Sequence, residues 1–144
     1  MPRPDPALLD PARYPFSCDI EPRFSDLDLN HHINNVAIAG MLEDARVRFY
    51  RAASEPDEFR GLATMVASIS IEYLGETHYP DTLTLHGAVE HLGRSSQQLV
   101  QVVTQNGQPV VFARTVIVMV GPEGPAALPE SYRARAAQWA LRAA

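Results

Sequence analysis

Several features that would narrow the function of a protein are scarce or missing in this chain of 144 residues. Cys18 is its single cysteine, so an internal disulfide is excluded and a reducing, cytoplasmic location is expected. Acidic residues outnumber basic ones, and the net charge of −5 argues against a nucleic-acid partner, which requires a basic face. No apolar run approaches the roughly 18 residues of a membrane span, and the proline-rich start has no signal-peptide core. The sequence therefore predicts a globular protein with neither nucleic acid nor membrane as its partner.

The composition that remains is that of an ordinary globular protein, with 46% hydrophobic and 20% charged residues. A chain of this length usually forms one domain with its own core, so we expect a single domain over residues 1–144. Residues 1–13 show no periodicity and are expected to form an arm that packs against the domain. Residues 121–144 break the β pattern and are expected to form a tail with a short helix.

Alternation and helical periodicity divide the rest of the chain into strands and one long helix. Residues 14–20 alternate between apolar and polar side chains, which predicts a half-buried strand. From Val36 to Ala53 apolar residues recur at helical spacing, and the first two turns carry no polar side chain, which predicts a helix buried on all sides there. Four segments rich in β-branched residues follow with short turn signals between them, and they predict an antiparallel meander: 62–74, 82–92, 95–105 and 109–120.

The fold class follows from what these elements must bury. An antiparallel sheet has to cover one face, and the long helix is the only large apolar object in the sequence. We therefore expect an α+β fold in which a curled antiparallel sheet wraps around one long central helix.

A dense polar cluster stands directly before that helix. Positions 26–35 hold two aspartates, two histidines and three asparagines. A helix cap needs only one such side chain, so this density indicates an active site at the N-terminus of the helix. Taken alone, Asp28 is explained as simply by a helix-capping or Asx-turn role.

Two members of the cluster have simpler explanations than catalysis. We expect Asp26 to anchor Arg23, and we expect His31 to face solvent because adjacent residues do not face one site. A metal site at His31 and His32 is not expected, since no carboxylate or thiol partner stands at the spacing that zinc favours.

The string from Asp26 to Asn35, Asp-Leu-Asp-Leu-Asn-His-His-Ile-Asn-Asn, resembles the signature opening of hotdog-fold acyl thioesterases. It is similar to both the 4-hydroxybenzoyl-CoA thioesterase-like and the acyl-ACP thioesterase-like branches, and the likeness covers roughly residues 14–120. The resemblance implies a hotdog domain assembled as a dimer or tetramer, with active sites between subunits. It also implies hydrolysis of an acyl-CoA or acyl-ACP thioester without a metal or a bound cofactor.

The resemblance also implies roles for individual side chains. Asp28 is the catalytic carboxylate, as general base or nucleophile, and Asn30 and His32 orient water or polarise the carbonyl. Glu76 matches a glutamate of the acyl-ACP branch, with Thr77 where that branch has cysteine. An exposed turn acid explains Glu76 equally well.

The oxyanion that forms during thioester hydrolysis needs hydrogen-bond donors. Backbone N–H groups at a helix N-terminus are unpaired and carry partial positive charge, so those near Asn34, Asn35 and Val36 are candidates for an oxyanion hole.

The rest of the substrate needs an apolar channel and a site for phosphate. The first half of the helix, facing Met65, Val66 and Ile69, is expected to line an acyl tunnel. The phosphates of CoA or phosphopantetheine require positive charge and backbone donors, and three residues of one turn offer both: Arg94, Ser95 and Ser96. A surface turn is the competing interpretation for Arg94.

Two other functions fit the same fold. A hotdog dehydratase would remove water from a hydroxyacyl thioester with an acid–base pair, typically histidine with glutamate or aspartate. A non-catalytic acyl-CoA-binding module would keep the tunnel without the polar cluster. The sequence leaves open the acyl chain and whether its carrier is CoA or ACP.

Overall fold

The computed structural model of the chain describes residues 3–144, and its elements follow the predicted order. The strands are β1 (Phe16–Ile20), β2 (Ala63–Tyr73), β3 (Leu83–Leu92), β4 (Ser96–Gln105), β5 (Gln108–Gly121) and β6 (Gly124–Pro125). The α-helices are α1 (Asn35–Ala53) and α2 (Glu130–Arg135), and 3-10 helices lie at Pro6–Leu9, Pro11–Arg13, Phe24–Asp26 and Ala136–Trp139.

The strands form one antiparallel sheet of order β1-β3-β4-β5-β2, with β6 paired to β5. The predicted meander is correct for β3, β4 and β5, where Asn106 and Gly107 make the positive-φ turn expected of a tight hairpin. It is wrong for β2, which pairs with β5 at the far edge instead of with β3. The reason lies after Tyr73, where the chain leaves the sheet and Thr77 accepts a backbone hydrogen bond from Ile33 in front of α1.

Helix α1 lies in the concave face of the curled sheet, so the predicted wrapping of the sheet around a central helix is confirmed. Leu42 is fully buried, and Ile38 and Ala45 on the same stripe are 2% exposed. They belong to one apolar core with side chains of three strands: Leu83, Leu85, Val103, Val111 and Ala113. This stripe holds the helix in place by burial of apolar surface, at about 25 cal/mol per Å².

The prediction that the first two turns of α1 are buried on all sides is wrong. Val36 is 75% exposed, and Gly40 faces open space. Only the stripe through Ile38 and Leu42 faces the sheet, so the apolar residues elsewhere on these turns remain available for contacts outside the chain.

Both ends of the described chain cover the convex face of the sheet. Leu8, Leu9 and Leu141 pack against a second apolar cluster that contains Tyr14 and Phe112. Leu8 and Leu9 thus attach the N-terminal arm to the sheet, and the first two residues of the chain lie outside the described part. In the tail, Tyr132 is 1% exposed and closes a third cluster at the C-terminal end of α1.

The β2 edge of the sheet is largely exposed to solvent. Strand β2 forms one edge, and none of its eleven residues is buried. Its exposed large apolar side chains are Met65, Val66, Ile69 and Tyr73.

Among residues 3–144, no helix combines the length and apolar character that crossing a membrane requires.

Candidate active site

The loop in front of α1 is a closed turn built around Asp28. The Asp28 N–H donates to the His32 carbonyl at 2.9 Å, and the His31 N–H donates to the Asp28 carbonyl at 3.1 Å. His31 has a φ of 62°, and its side chain is exposed as predicted. A β-bridge between Leu27 and Ile33 closes the base of the turn. The turn thus presents Asp28 and His32 from one small, hydrogen-bonded platform.

The Asp28 carboxylate uses one oxygen within this turn. Oδ1 accepts from the Asn30 N–H at 2.8 Å and from the His32 N–H at 3.1 Å. Oδ2 accepts no hydrogen bond from any residue between 3 and 144, and Asp28 lines an open cavity of about 270 Å³. The Asx-turn interpretation is therefore correct for Oδ1, and the second oxygen stays available for chemistry.

Asn34, and not Asp28, caps the helix. Its Oδ1 accepts from the Ala37 N–H at 2.7 Å, and its Nδ2 donates to the Asp26 carbonyl at 2.8 Å. The Asn34 N–H donates to the same Asp26 carbonyl, so this amide cannot serve an oxyanion as predicted. The backbone N–H groups of Asn35 and Val36 have no acceptor in the described chain, and they are the donors that remain.

Asp26 fixes the start of this loop. Its carboxylate accepts from the Arg23 backbone N–H at 2.8 Å and from the Arg23 guanidinium at 3.2 Å. Asp26 is 5% exposed, which confirms its predicted structural role.

His32 and Glu76 meet at the cavity although 44 positions separate them in sequence. The His32 Nε2 lies 3.4 Å from the Glu76 Oε2, and both residues line the cavity with Asp28. The His78 ring packs edge-on against His32, with 5.7 Å between ring centroids. The segment after β2 carries Glu76 to this position because Thr77 is bonded to Ile33.

Tyr73 and Thr77 also line the cavity, and neither was predicted to bind substrate. Tyr73, the last residue of β2, lines the cavity and donates its hydroxyl to the Asn35 carbonyl at 3.3 Å. Thr77 is 5% exposed, and its hydroxyl donates to the Ile33 carbonyl at 3.4 Å, so its role is structural. The sequence signal for Tyr73 is its place where a strand ends and the chain turns toward the helix.

The remaining predicted residues lie elsewhere. Asn30 is exposed, and its side chain is not part of the cavity lining. Arg94, Ser95 and Ser96 lie at the β3–β4 turn, at the opposite end of the sheet from Asp28. Ten residues of β3 separate the two ends, which corresponds to roughly 30 Å. Within one chain the structure does not bring the predicted phosphate site to the cavity.

Strand β2 runs from the cavity, at Tyr73, along the side of α1. Val66 and Ile69 of β2 point to the concave face, as predicted for an acyl tunnel, and pair with Ile117 and Thr115. Met65 pairs with Val118 and points to the other face, so its predicted place in the tunnel is wrong. A separate cavity of about 190 Å³ lies between β2 and the second half of α1.

Residues that could hold a metal are not clustered. Between residues 3 and 144, no three histidine, cysteine, aspartate or glutamate side chains are grouped as a metal ion would require. The cavity offers a carboxylate, an imidazole–carboxylate pair and the free amide of Asn35.

Comparisons with known proteins extend this picture. A sequence profile of the thioesterase-like superfamily matches residues 22–136. The uncharacterized protein YsmA of Bacillus subtilis (strain 168) is 27% identical over 112 residues, which is 76% of this chain and 76% of its own length.

Solved structures share the hotdog architecture. A thioesterase from Thermus thermophilus, complexed with coenzyme A and Zn, superposes with a TM-score of 0.80 at 30% identity, over 92% of this chain and 98% of that one. A mutant 4-hydroxybenzoyl-CoA thioesterase complexed with 4-hydroxybenzoyl-CoA superposes with a TM-score of 0.76 at 18% identity, over 84% of this chain and 97% of that one. The second likeness concerns the fold alone.

Proposed function

We propose that this chain, which belongs to the thioesterase-like superfamily, hydrolyses an acyl-CoA thioester to a free acid and CoA, with Asp28 as the catalytic carboxylate. One observation carries the proposal. Asp28, whose Oδ2 is unpaired, borders a cavity that is also lined by Asn35 at the start of α1, where the Asn35 amide and the adjacent Val36 amide are free.

In the proposed reaction, a water attacks the thioester carbonyl carbon while Asp28 takes the proton of that water. The carbonyl oxygen becomes an oxyanion and accepts hydrogen bonds from the Asn35 and Val36 N–H groups, whose alignment with the helix dipole favours negative charge. The C–S bond then breaks, and the proton passes to the departing sulfur. His32, held by Glu76, orients the water or the carbonyl, and Asn30 holds Asp28 through its backbone amide.

A nucleophilic role for Asp28 is the alternative route to the same products. Its Oδ2 would then attack the carbonyl, and water would hydrolyse the resulting anhydride. After a single turnover in isotopically labelled water, label in the Asp28 carboxylate identifies the nucleophilic route, in which water attacks the Asp28 carbonyl carbon of the anhydride.

CoA is the favoured carrier on grounds of charge and similarity. An acidic carrier protein has to dock over a wide surface of this chain, whose net charge is −5, and would be repelled. The 30% identical thioesterase from Thermus thermophilus was crystallised with coenzyme A.

We also propose that a second copy joins this chain along β2. Edge strands with exposed apolar side chains are templates for pairing, and β2 exposes such side chains over its whole length. Antiparallel pairing of two β2 edges sets the Ala63 end of one copy beside the Tyr73 end of the other. The Arg94–Ser96 turn, which lies at the Ala63 end, would then approach the partner's cavity and its CoA phosphates.

The decisive experiment is a panel of acyl-CoA and acyl-ACP substrates with release of free thiol as the readout. Wild-type protein should cleave at least one acyl-CoA, and Asp28→Asn should reduce kcat/KM by about a hundredfold to ten-thousandfold without a change in Tm. Asp19→Asn, an exposed carboxylate on β1, is the matched control and should retain full activity. If no thioester is cleaved, or if Asp28→Asn is as active as Asp19→Asn, the proposal is wrong.

A dehydratase is the second candidate because His32 and Glu76 form the acid–base pair that such a reaction requires. A 3-hydroxyacyl-CoA substrate distinguishes the two functions. Hydrolysis releases free thiol, whereas dehydration produces an enoyl thioester and no thiol.

A further inference from the structure

The segment that carries Glu76 has no regular secondary structure. Residues 74–82 join β2 to β3 without a helix or a strand, yet Glu76 lies 3.4 Å from the His32 Nε2 at the cavity. A loop keeps a side chain at such a distance only if other parts of the chain fix its backbone. The hydrogen bonds of this loop therefore indicate which residue sets the position of Glu76.

Thr77 directs the loop toward the start of α1, but through long hydrogen bonds. The Thr77 carbonyl accepts from the Ile33 N–H, the Thr77 hydroxyl donates to the Ile33 carbonyl, and both donor–acceptor distances are 3.4 Å. Hydrogen bonds in proteins are typically about 2.7–3.2 Å long and weaken as they lengthen. A tighter anchor is therefore needed to fix Glu76, the residue directly before Thr77.

Gln105, the last residue of β4, supplies such an anchor. Its Oε1 accepts from the His78 N–H at 2.8 Å, and its Nε2 donates to the His78 carbonyl at 2.8 Å and to the Asp81 carbonyl at 2.9 Å. The side-chain amide thus pairs with both backbone polar groups of His78, as a neighbouring strand would. Gln105 is 4% exposed, so water competes little for these three hydrogen bonds.

The hairpin that follows β4 holds Gln105 itself in place. Gln105 pairs with Gln108 across a turn whose central residues, Asn106 and Gly107, both have positive φ. Asn106 adds a second attachment, because its Nδ2 donates to the Asp81 Oδ2 at 2.8 Å. The loop is therefore tied to a regular β-hairpin, and side chains supported by regular elements are held more precisely than side chains supported by loops.

His78 connects this anchor to His32. The His78 ring packs edge-on against the His32 ring, with 5.7 Å between centroids, and Glu76 approaches the same imidazole at its Nε2. The His32 side chain is 33% exposed, so burial alone does not fix its orientation. Two residues of one loop therefore hold the imidazole, and Gln105 holds that loop.

We propose that Gln105 is a positioning residue for the proposed hydrolysis and acts through the backbone of His78. It keeps the His78 ring and the Glu76 carboxylate against the His32 imidazole, and the inference thus rests on the proposed function of the cavity. Gln105 is buried and is not part of the cavity lining, so it does not touch the substrate. Its loss should lower the rate of the reaction and leave substrate binding unchanged.

Steady-state kinetics of Gln105→Met tests the inference. Methionine has nearly the same shape and removes all three hydrogen bonds, so kcat for an acyl-CoA should fall about tenfold while KM is unchanged. Gln108→Met, at the exposed position paired with Gln105, is the matched control and should keep the wild-type kcat. In a His32→Gln background, Gln105→Met should have no further effect on kcat, because the imidazole that Gln105 positions is absent.

Nuclear magnetic resonance provides a readout that does not depend on catalysis. With ¹³C-labelled histidine, the rings of His32 and His78 should show a nuclear Overhauser effect in wild type and in Gln108→Met, and this effect should be lost in Gln105→Met. Thermal unfolding establishes that each variant is folded. If Gln105→Met does not fold, Gln105→Asn replaces it, because its shorter amide cannot reach both carbonyls and should cause the same changes.

The outcomes separate this inference from the proposed function. A retained contact between the two histidine rings in folded Gln105→Met overturns the inference, whether or not the protein hydrolyses thioesters. A lost contact with an unchanged kcat also overturns it and leaves hydrolysis by Asp28 untouched. A lost contact in a protein that cleaves no thioester supports the positioning of His32 by Gln105 and refutes the proposed hydrolase. If Gln105→Met lowers kcat equally in the wild-type and His32→Gln backgrounds, Gln105 supports the fold in general and the inference is wrong.

Discussion

The two ends of α1 are built for different tasks. At its first turn, Val36 is 75% exposed and two backbone amides have no acceptor in the described chain. At its last turns, Phe49 is 2% exposed and contacts the rings of Phe16, Tyr50 and Trp139 edge-on, with centroid separations of 5.6 to 6.0 Å. One end is fixed by packing, and the other is left with unused hydrogen-bonding groups.

The contrast indicates how one helix supports both stability and chemistry. Aromatic rings of the tail and of the 54–62 segment enclose the C-terminal end, so the helix is anchored at the end away from the Asp28 cavity. The N-terminal end is held by the Asn34 cap and by the turn around Asp28. Because the C-terminal end of α1 is anchored, the N-terminal end can keep backbone amides without hydrogen-bond acceptors, as a preorganised site requires.

The largest expected effect is on the anchored end. Phe49→Ala should lower the free energy of unfolding by about 3–5 kcal/mol, because it removes a buried ring and leaves a cavity among aromatic neighbours. Denaturant titration measures this change. At temperatures where the variant is folded, its KM should match that of wild type, and a changed KM would contradict the separation of tasks.

At the open end, His32→Gln should lower kcat by about ten- to a hundredfold with little change in the free energy of unfolding. The imidazole is partly exposed and supports the chemistry more than the fold. A double-mutant cycle of His32→Gln and Glu76→Gln should show that their effects on kcat are not additive, because each change removes the same His32–Glu76 contact. Additive effects would mean that Glu76 is an independent turn acid.

The cap connects the two tasks and gives a smaller effect. Asn34→Ala should lower the free energy of unfolding by about 1 kcal/mol, because it removes the hydrogen bond to Ala37. It also removes the hydrogen bond to Asp26, so kcat should fall as the Asp28 turn loosens. Asn34→Asp preserves the cap and should restore stability, and equal stabilities of the two variants would contradict this account.

The smallest expected effect is on the pH dependence of the free energy of unfolding, and it arises from His86 on the convex face of the sheet. Burial lowers the pKa of His86, an effect partly offset by Asp19, so the unfolded chain binds this proton more readily than the folded one. Stability should therefore decrease as the pH falls below about 6.5, down to the lowered pKa of the folded state. Glu90 titrates below this window, because Arg114 lowers its pKa.

Unfolding in urea at pH 5 to 7 checks this expectation. In His86→Gln, which keeps a polar head next to Thr104, the pH slope should be flatter than in wild type. If the free energy of unfolding has the same pH dependence in wild type and in His86→Gln, groups other than His86 cause it.

Much of the fold was readable from local patterns. The alternation in 82–92 and 95–105 reports which faces are buried, and the observed strands agree to within one residue at either end. The place of β2 was not readable, because its pairing with β5 depends on where the chain after Tyr73 packs. Likewise, the apolar surface of Val36 predicted burial, although no part of the described chain covers it.

The candidate site was predictable in its residue types more than in their hydrogen bonds. The polar cluster before α1 pointed to Asp28 and His32, which meet Glu76 at one cavity. Which asparagine caps the helix depends on loop geometry, and that geometry removes the Asn34 amide from the predicted oxyanion hole. Tyr73 was missed because a tyrosine at the end of a strand is usually packing.

The Gln97 amide has a consequence for where the folding unit ends. This side chain is 1% exposed, and it joins Tyr50 of the central helix to Tyr132 of the tail. A chain truncated after β5 would lack Tyr132, the donor to the Gln97 Oε1. It would also expose the aromatic side chains against which Tyr132 packs. The smallest independently stable fragment must therefore extend beyond Tyr132.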